Sequence, residues 1–269
     1  MLGFEKICNF AAVNHFAMDQ LSVAIITRNE ERNLERCLNA LQGVADEIVV
    51  VDSYSTDRTL DICRRYGCKV TQREFMGFGS QRQYAVGLTT HSYVLCIDAD
   101  EVLDEELRAH LMTLKKHGFG HRVYKITIQN YFCGEPLAHS GYEPGDCVRL
   151  FNKRYANWNL RDVSDMVSYP DSVVPQGMPG AIHHYRCSSL DEFFRKENRI
   201  ASLEAKVLAA RERSISILTP RLMAAWQYLK SHVVHYAWMD GSRGFTIARR
   251  RAKTTYEAYR LARHLISER

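Results

Sequence analysis

Three apolar runs rich in β-branched residues, LSVAIIT (21–27), EIVVVD (47–52) and SYVLCID (92–98), are separated by segments of helical periodicity. Runs this continuous suit strands buried on both faces of a parallel sheet. Between the first two, Leu34, Leu38 and Leu41 recur at helical spacing, with Asn29 as the expected cap. After EIVVVD the polar turn SYSTD leads into a helix bearing Leu60, Ile62 and Cys63, with Asp57 as its cap and Gly67 at its end. CKVTQR (68–73) reads as a third, more exposed strand, and a helix near 79–88 precedes SYVLCID, the fourth. Strand and helix alternating at this spacing build right-handed βαβ units, which predicts an α/β fold around an open, mainly parallel sheet. Sheets of this kind take ligands at the carboxyl ends of their strands. Thr27-Arg28-Asn29-Glu30, Asp52-Ser53 and Asp98-Ala99-Asp100 all lie at such ends.

The rhythm changes after a helix near 104–116. Residues 122–131 alternate as an antiparallel strand would, CVRLF (147–151) reads as another, and GYEPGD (141–146) and YPDSVVPQGMPG (169–180) read as loops. From Leu190 onward the pattern is helical. Charge divides the same way: Arg195–Arg269 holds 16 Lys/Arg against 6 Asp/Glu, the remainder 20 against 25. The expected organisation is an N-terminal extension (1–20), an α/β domain (21–190) in two halves (21–118 and 119–190), and a helical basic region (191–269). The 8 cysteines are scattered without a CxxC pair, so they read as small hydrophobes in a reducing compartment rather than zinc ligands. No stretch approaches the roughly 18 apolar residues of a membrane span, and the mixed first 20 residues do not make a signal peptide; a cytoplasmic location is expected.

Asp98-Ala99-Asp100-Glu101 carries the most chemistry. A nucleoside diphosphate leaves poorly unless a divalent cation offsets its charge. Mg²⁺ or Mn²⁺ is typically held by one or two carboxylates together with phosphate oxygens. Alternate residues at a strand end project to one side, so Asp98 and Asp100 can meet one ligand. The plainer reading is an acidic turn entering a helix. Asp52 is placed to hydrogen-bond a nucleotide base or ribose. Gln81, Arg82 and Tyr84, after the Gly77/Gly79 loop, are expected to line the same pocket, with Arg82 a cation near the diphosphate.

Taken in order, LSVAIITRNEERNLERCLNAL, DEIVVVDSYSTDRTLDICRRYGCKV, REFMGFGSQRQYA and LCIDADE resemble the family 2 glycosyltransferases, in particular the lipopolysaccharide core β-1,4-glucosyltransferase type. The resemblance spans roughly residues 21–200 and implies a GT-A fold, a UDP-sugar donor and inversion at the anomeric carbon. Thr27, Asn29, Glu30 and Asp52 match the nucleotide-contacting positions. Asp98 falls near the ribose and on the metal side, and Asp100 on the metal. The family commonly has Gly where this chain has Tyr54. Its His-Glu pair is matched here by Ser164-Asp165, which makes Asp165 the expected base and Asp162 its reserve. Its RLF and HY elements are matched by Arg149 and by His184, the second of the His183-His184 pair. The acceptor implied is a lipopolysaccharide-core or other lipid-linked glycan.

A degenerate, non-catalytic nucleotide- or glycan-binding module of the same fold stays open because of the Ser-Asp pair. A nucleotidyltransferase would need a Gly-rich phosphate loop after the first strand, which Thr27-Arg28-Asn29-Glu30 lacks. Nucleic acid is not an expected partner, since no base-reading motif accompanies the basic tail. Within that tail Pro220 is placed to start a helix, and Leu222, Trp226, Leu229, Val233 and Tyr236 form one stripe with Trp238 just beyond. A second segment bears Arg249, Arg250, Arg251 and Lys253. Two readings follow: a helix pair packed on the catalytic domain, or an interfacial anchor on the anionic inner face of the cell membrane.

Overall fold

The computed structural model describes residues 19–160 and 166–268. The chain opens with β1 (Leu21–Thr27), α1 (Leu34–Ala40), β2 (Glu47–Asp52), α2 (Thr59–Arg65), β3 (Lys69–Gln72), α3 (Phe78–Leu88) and β4 (Tyr93–Asp98). Next come β5 (Glu101–Leu103), α4 (Glu105–His117), β6 (Val123–Phe132), β7 (Glu135–Pro136), β8 (Gly145–Asn152), β9 (Asn157–Trp158), β10 (Val167–Ser168) and β11 (Gln176–Cys187). It closes with α5 (Leu190–Arg211), α6 (Thr219–Val233), a 3₁₀ turn at Ala237–Asp240 and α7 (Gly241–Ser267).

One nine-stranded sheet organises the fold, in the order β3-β2-β1-β4-β8-β6-β11-β5 with β7 paired to β6. β3, β2, β1 and β4 run parallel, and β6 and β11 share their direction. The sheet is therefore mainly parallel, as the apolar runs predict, and it continues unbroken through both expected halves of the domain. β1 lies between β2 and β4, in a register that sets Thr27 beside Asp52 and Ile26 beside Asp98. The three polar strand ends consequently meet at one edge. Val23, Ile25, Leu95 and Ile97 pack under α1, α2 and α4, while Ala24, Val94 and Cys96 face Ala85 and Val86 of α3.

Local expectations needed revision at four places. Asn29 does not cap α1; Asn33 stands at the N-cap without a side-chain bond. Asp57 sits one residue before the N-cap of α2, where it accepts from the Thr59 and Glu31 amides. Residues 101–103 form a strand rather than helix entry. The last five residues of the 169–180 loop belong to β11, whose Pro, Gly and Met obscure any alternation. β11 completes the sheet between β6 and β5. Gly180 is needed there, with φ +80° and the Leu107 amide only 2.3 Å from where a Cβ would stand.

α5 and α7 pack through small residues, Ala205 and Ala209 against Ala262. Two polar ties fix their register. Thr254 Oγ1 donates to Glu197 at 2.7 Å, and Arg250 donates to the Phe194 carbonyl and to Asn198. Gly244 allows α7 to approach the 237–240 turn, since a Cβ there would lie 1.7 Å from the Ala237 carbonyl oxygen.

At the opposite end of the sheet from the polar edge, Glu47 begins β2. It accepts from Ser22 Oγ, from the Thr90 amide at 2.8 Å and from Lys69 at 2.6 Å. Burial raises its carboxyl, but these donors outweigh burial and bring it from 4.5 down to about 2. A depressed carboxyl stabilises the fold above its unfolded pKa and loses that contribution as pH falls through the folded value, here on the order of 3 kcal/mol. Glu47→Gln is expected to cost about 2–3 kcal/mol at pH 7. Its deficit against the parent should shrink between pH 5 and pH 2 in urea unfolding. A deficit constant over that range would assign the effect to packing instead.

Candidate active site

The carboxyl ends of β1 and β4 open into a cavity of about 380 Å³. Thr27, Arg28 and Glu30 line it from the β1 side, Ser53 from β2, Arg82 from α3, and Asp98 and Asp100 from β4 and its turn. His184 and Arg186 of β11 and Lys196, Glu197 and Arg199 of α5 form the facing wall. The Oγ1 of Thr27 is buried with no hydrogen-bond partner among the described residues.

Asp98 is held by Arg82, whose Nη2 reaches both carboxylate oxygens at 2.7 and 2.8 Å. Burial raises the Asp98 carboxyl, yet Arg82 and Arg149 outweigh it and leave the net direction downward. Beneath it, Glu101 is wholly buried, accepts from the Asp98 amide at 2.8 Å and from Arg149 at 2.7 Å, and is pushed up by burial despite Arg149.

Asp100 takes Lys196 Nζ at 2.9 Å on one oxygen and has His184 Nε2 at 3.3 Å from the other. Burial raises its carboxyl, but His184 and Lys196 drive it well below the carboxylate range. Lys196 also donates to the Arg186 carbonyl at 2.9 Å and lies 3.3 Å from Glu192 and 3.7 Å from Glu30. Burial and the charge of Asp100 push Glu30 up to about 7, against the opposing Lys196. Among the described residues no three His, Cys, Asp or Glu side chains group to hold a metal ion alone. A divalent ion at a diphosphate needs only one or two carboxylates plus phosphate oxygens. Asp100, with the His184 imidazole beside it, offers donors of this kind, and the Lys196 ammonium on its other oxygen stands where a cation would bind and would have to give way to it.

Residues 22–169, more than half of the chain, match the family model for glycosyl transferase family 2. The chain belongs to this family. An uncharacterized glycosyltransferase of Rickettsia typhi is 28% identical over 237 residues, covering 85% of this chain and 81% of that protein. The lipopolysaccharide core biosynthesis glycosyltransferase LpsC of Rhizobium meliloti is 28% identical over 190 residues, 69% of this chain and 70% of that one. Among solved structures, S. aureus TarS aligns with 86% of this chain and 55% of its own, at 17% identity and a TM-score of 0.43.

For this family 2 glycosyltransferase, the mixed α/β fold with its curled, mostly parallel sheet is the expected GT-A architecture, and the helical C-terminal region is present. Of the anticipated site residues, Thr27, Glu30, Arg82, Asp98, Asp100 and His184 meet at the cavity. Others stand behind it. Asp52 is buried and accepts from the Ser55 amide and hydroxyl and from Gln72. Asn29, at φ +55°, accepts from the Thr56 amide and so staples the β1 loop to the β2 turn. Gln81 is buried and donates to Ser53 Oγ. Tyr84 does not line the pocket; it lies under the Arg73 guanidinium on the outside of α3. Arg149 supports Glu101 rather than facing the cavity, and His183 turns the other way, onto Tyr131. Tyr54 has φ +56°, the left-handed conformation that explains Gly at this place in the family. Asp162 and Asp165 lie outside the described residues.

Lys196, Arg199 and Arg186 were given no role by any motif. The available signal was in α5, where Phe193, Ile200 and Leu203 fall on one face that Lys196 and Arg199 interrupt.

The Glu101–Arg149 pair gives a structural test. Arg149→Met would leave a wholly buried carboxylate without its cation and is expected to cost about 3–5 kcal/mol. Arg149→Met with Glu101→Gln should recover a large part of that loss in denaturant unfolding. Additive losses would show that the two side chains act independently.

Proposed function

We propose that this protein is an inverting, metal-dependent hexosyltransferase that moves a sugar, glucose or a related hexose, from a UDP-sugar to a lipopolysaccharide-core or other cell-envelope glycan. One observation carries the reading: Asp98 and Asp100 converge at the carboxyl end of a parallel strand, in a cavity that also presents cations to a diphosphate. Thr27 and Asp98 would contact the nucleoside, with Asp52, Asn29 and Gln81 holding the loops that shape its pocket. Asp100 and His184 would hold Mg²⁺ or Mn²⁺. The ion supplies charge compensation to the departing diphosphate. Asp165 is assigned as the base. Its carboxylate takes the acceptor hydroxyl proton as that oxygen bonds to the anomeric carbon, and the nucleoside diphosphate leaves with the electron pair of the broken bond. The acceptor class draws support from the LpsC likeness.

A panel of UDP-sugars assayed with and without chelator tests this directly. Turnover should require a divalent ion. Asp100→Asn should lower it by several orders of magnitude, and Asp165→Asn by roughly 10²-fold or more with donor binding kept. Undiminished turnover in chelator removes the metal. Donor binding without turnover for any acceptor would favour the non-catalytic module.

An interfacial site on the inner face of the cell membrane belongs to the same proposal. Leu222, Trp226, Leu229 and Val233 of α6 are each at least half exposed, and so are Tyr236 and Trp238 beyond it. The stripe is thus not the surface by which the helix pair packs. Trp and Tyr beside aliphatic residues suit headgroup depth. Arg221, next to Leu222 on α6, and Arg213, in the segment that leads into α6, are exposed and suit anionic lipid, at about 1 kcal/mol each. Part of the expected cationic patch is spent internally, with Arg250 on Phe194 and Asn198 and Arg251 on the Ser140 carbonyl. Among the described residues no helix is long and apolar enough to cross a membrane. In vesicle co-sedimentation the protein should bind anionic vesicles at low salt and release as salt rises. Trp226→Ser with Trp238→Ser, or Arg213→Glu with Arg221→Glu, should abolish binding. Equal partitioning onto neutral vesicles, or concentration-dependent dimerisation without binding, would assign the face to another role.

A further inference from the structure

The cavity lining carries five cations, Arg28, Arg82, Arg186, Lys196 and Arg199, against four acids, Glu30, Asp98, Asp100 and Glu197. Asp98 is matched by Arg82, and Asp100 by Lys196. Besides Arg186, which lies over the Tyr142 ring and donates to Asn130, two further guanidinium groups line the same space, Arg28 from the loop after β1 and Arg199 from α5, one turn beyond Lys196. Among the described residues neither is ion-paired. Arg199 is held in place over the Phe75 ring, 4.6 Å from its centroid. Burial, and then the like charge of Arg28, weakens the hold of Arg199 on its proton. Two guanidinium groups brought together without a counter-ion repel each other, and an anion between them turns repulsion into attraction. A phosphate oxygen pair matches the fork of an arginine, which donates two parallel hydrogen bonds to it.

We propose that Arg28 and Arg199 form a clamp for the diphosphate of the donor, which makes α5 a wall of the donor site rather than scaffold behind it. The clamp rests on the nucleotide-sugar reading above and adds a part that lies beyond the matched segment, residues 22–169. Its position favours the donor over a phosphorylated acceptor, because Arg28 directly follows Thr27 at the strand end where a nucleotide would dock. Arg82 and Lys196 have a separate duty. Arg82 offsets Asp98, and Lys196 offsets Asp100 until the metal ion takes its place, so that the paired carboxylates do not repel the incoming anion and Arg28 and Arg199 can take it.

Calorimetric titration of the full chain with UDP, uridine and inorganic pyrophosphate, each with and without Mn²⁺, tests the clamp. Arg28→Gln and Arg199→Gln are each expected to weaken UDP and pyrophosphate binding by about 10-fold or more, equivalent to about 1.4 kcal/mol. Uridine affinity and the thermal midpoint should stay near the parent's, and Arg199→Lys should restore part of the loss. If the parent binds UDP and both Gln variants bind it within twofold as well, the clamp is overturned while the nucleotide reading stands. A variant that loses uridine in proportion to UDP has a distorted pocket, which also overturns the clamp. Should the parent bind pyrophosphate in an Arg199-dependent way but not UDP, the pair is an anion site of another kind, and the donor clamp falls together with the nucleotide reading. A parent that binds neither sinks the clamp.

Discussion

A carboxylate without access to water, Glu101, is the point on which the polar edge of this sheet depends. Charges this deep are tolerated only when paired and hydrogen-bonded. Glu101 satisfies both conditions with the Asp98 amide on one oxygen and Arg149 on the other. The arrangement fixes the chain between β4 and β5, and with it the directions of Asp98 and Asp100. The charged contacts of both aspartates follow from it: Arg82 meets Asp98, and Lys196 and His184 meet Asp100. The reactive edge is therefore built outward from a buried ion pair.

The parallel half of the fold was legible because its strands are buried on both faces, which leaves an unmistakable apolar run in each. β1 and β2 came out with their full lengths, and the strand-end acids identified the edge that matters. β11 was not legible, since it carries Gly177, Pro179, Gly180 and two histidines in a stretch whose pairing with β6 is broken by register shifts. Roles behind the cavity were equally hidden. Whether a polar strand-end residue faces a ligand or holds a loop depends on its neighbours, and Asp52, Asn29 and Gln81 turn out to have protein partners. Lys196 and Arg199 reach the site through the packing of α5, which no local pattern encodes.

The C-terminal helices combine two kinds of surface that sequence periodicity cannot tell apart. An apolar stripe on a helix ordinarily marks the buried face. Here α7 packs through Ile247 against Phe132 and Phe193 and otherwise through small residues and polar ties, and the large side chains of α6 are left outside. α5 touches both systems, since Lys196 and Arg199 face the cavity while Glu197 and Asn198 hold α7.

The strand order also carries a timetable. Residues 21–98 suffice for four parallel strands, but the free edge of β4 is covered by β8, at Gly145–Asn152. A ribosome adding roughly 5–20 residues per second needs about 3–10 s to bridge that interval. For that time an apolar, unpaired strand edge stands open beside a finished half-sheet, the situation in which neighbouring nascent chains join edge to edge. Yield on overexpression should therefore track translation speed between β4 and β8 more closely than it tracks the stability of the completed protein.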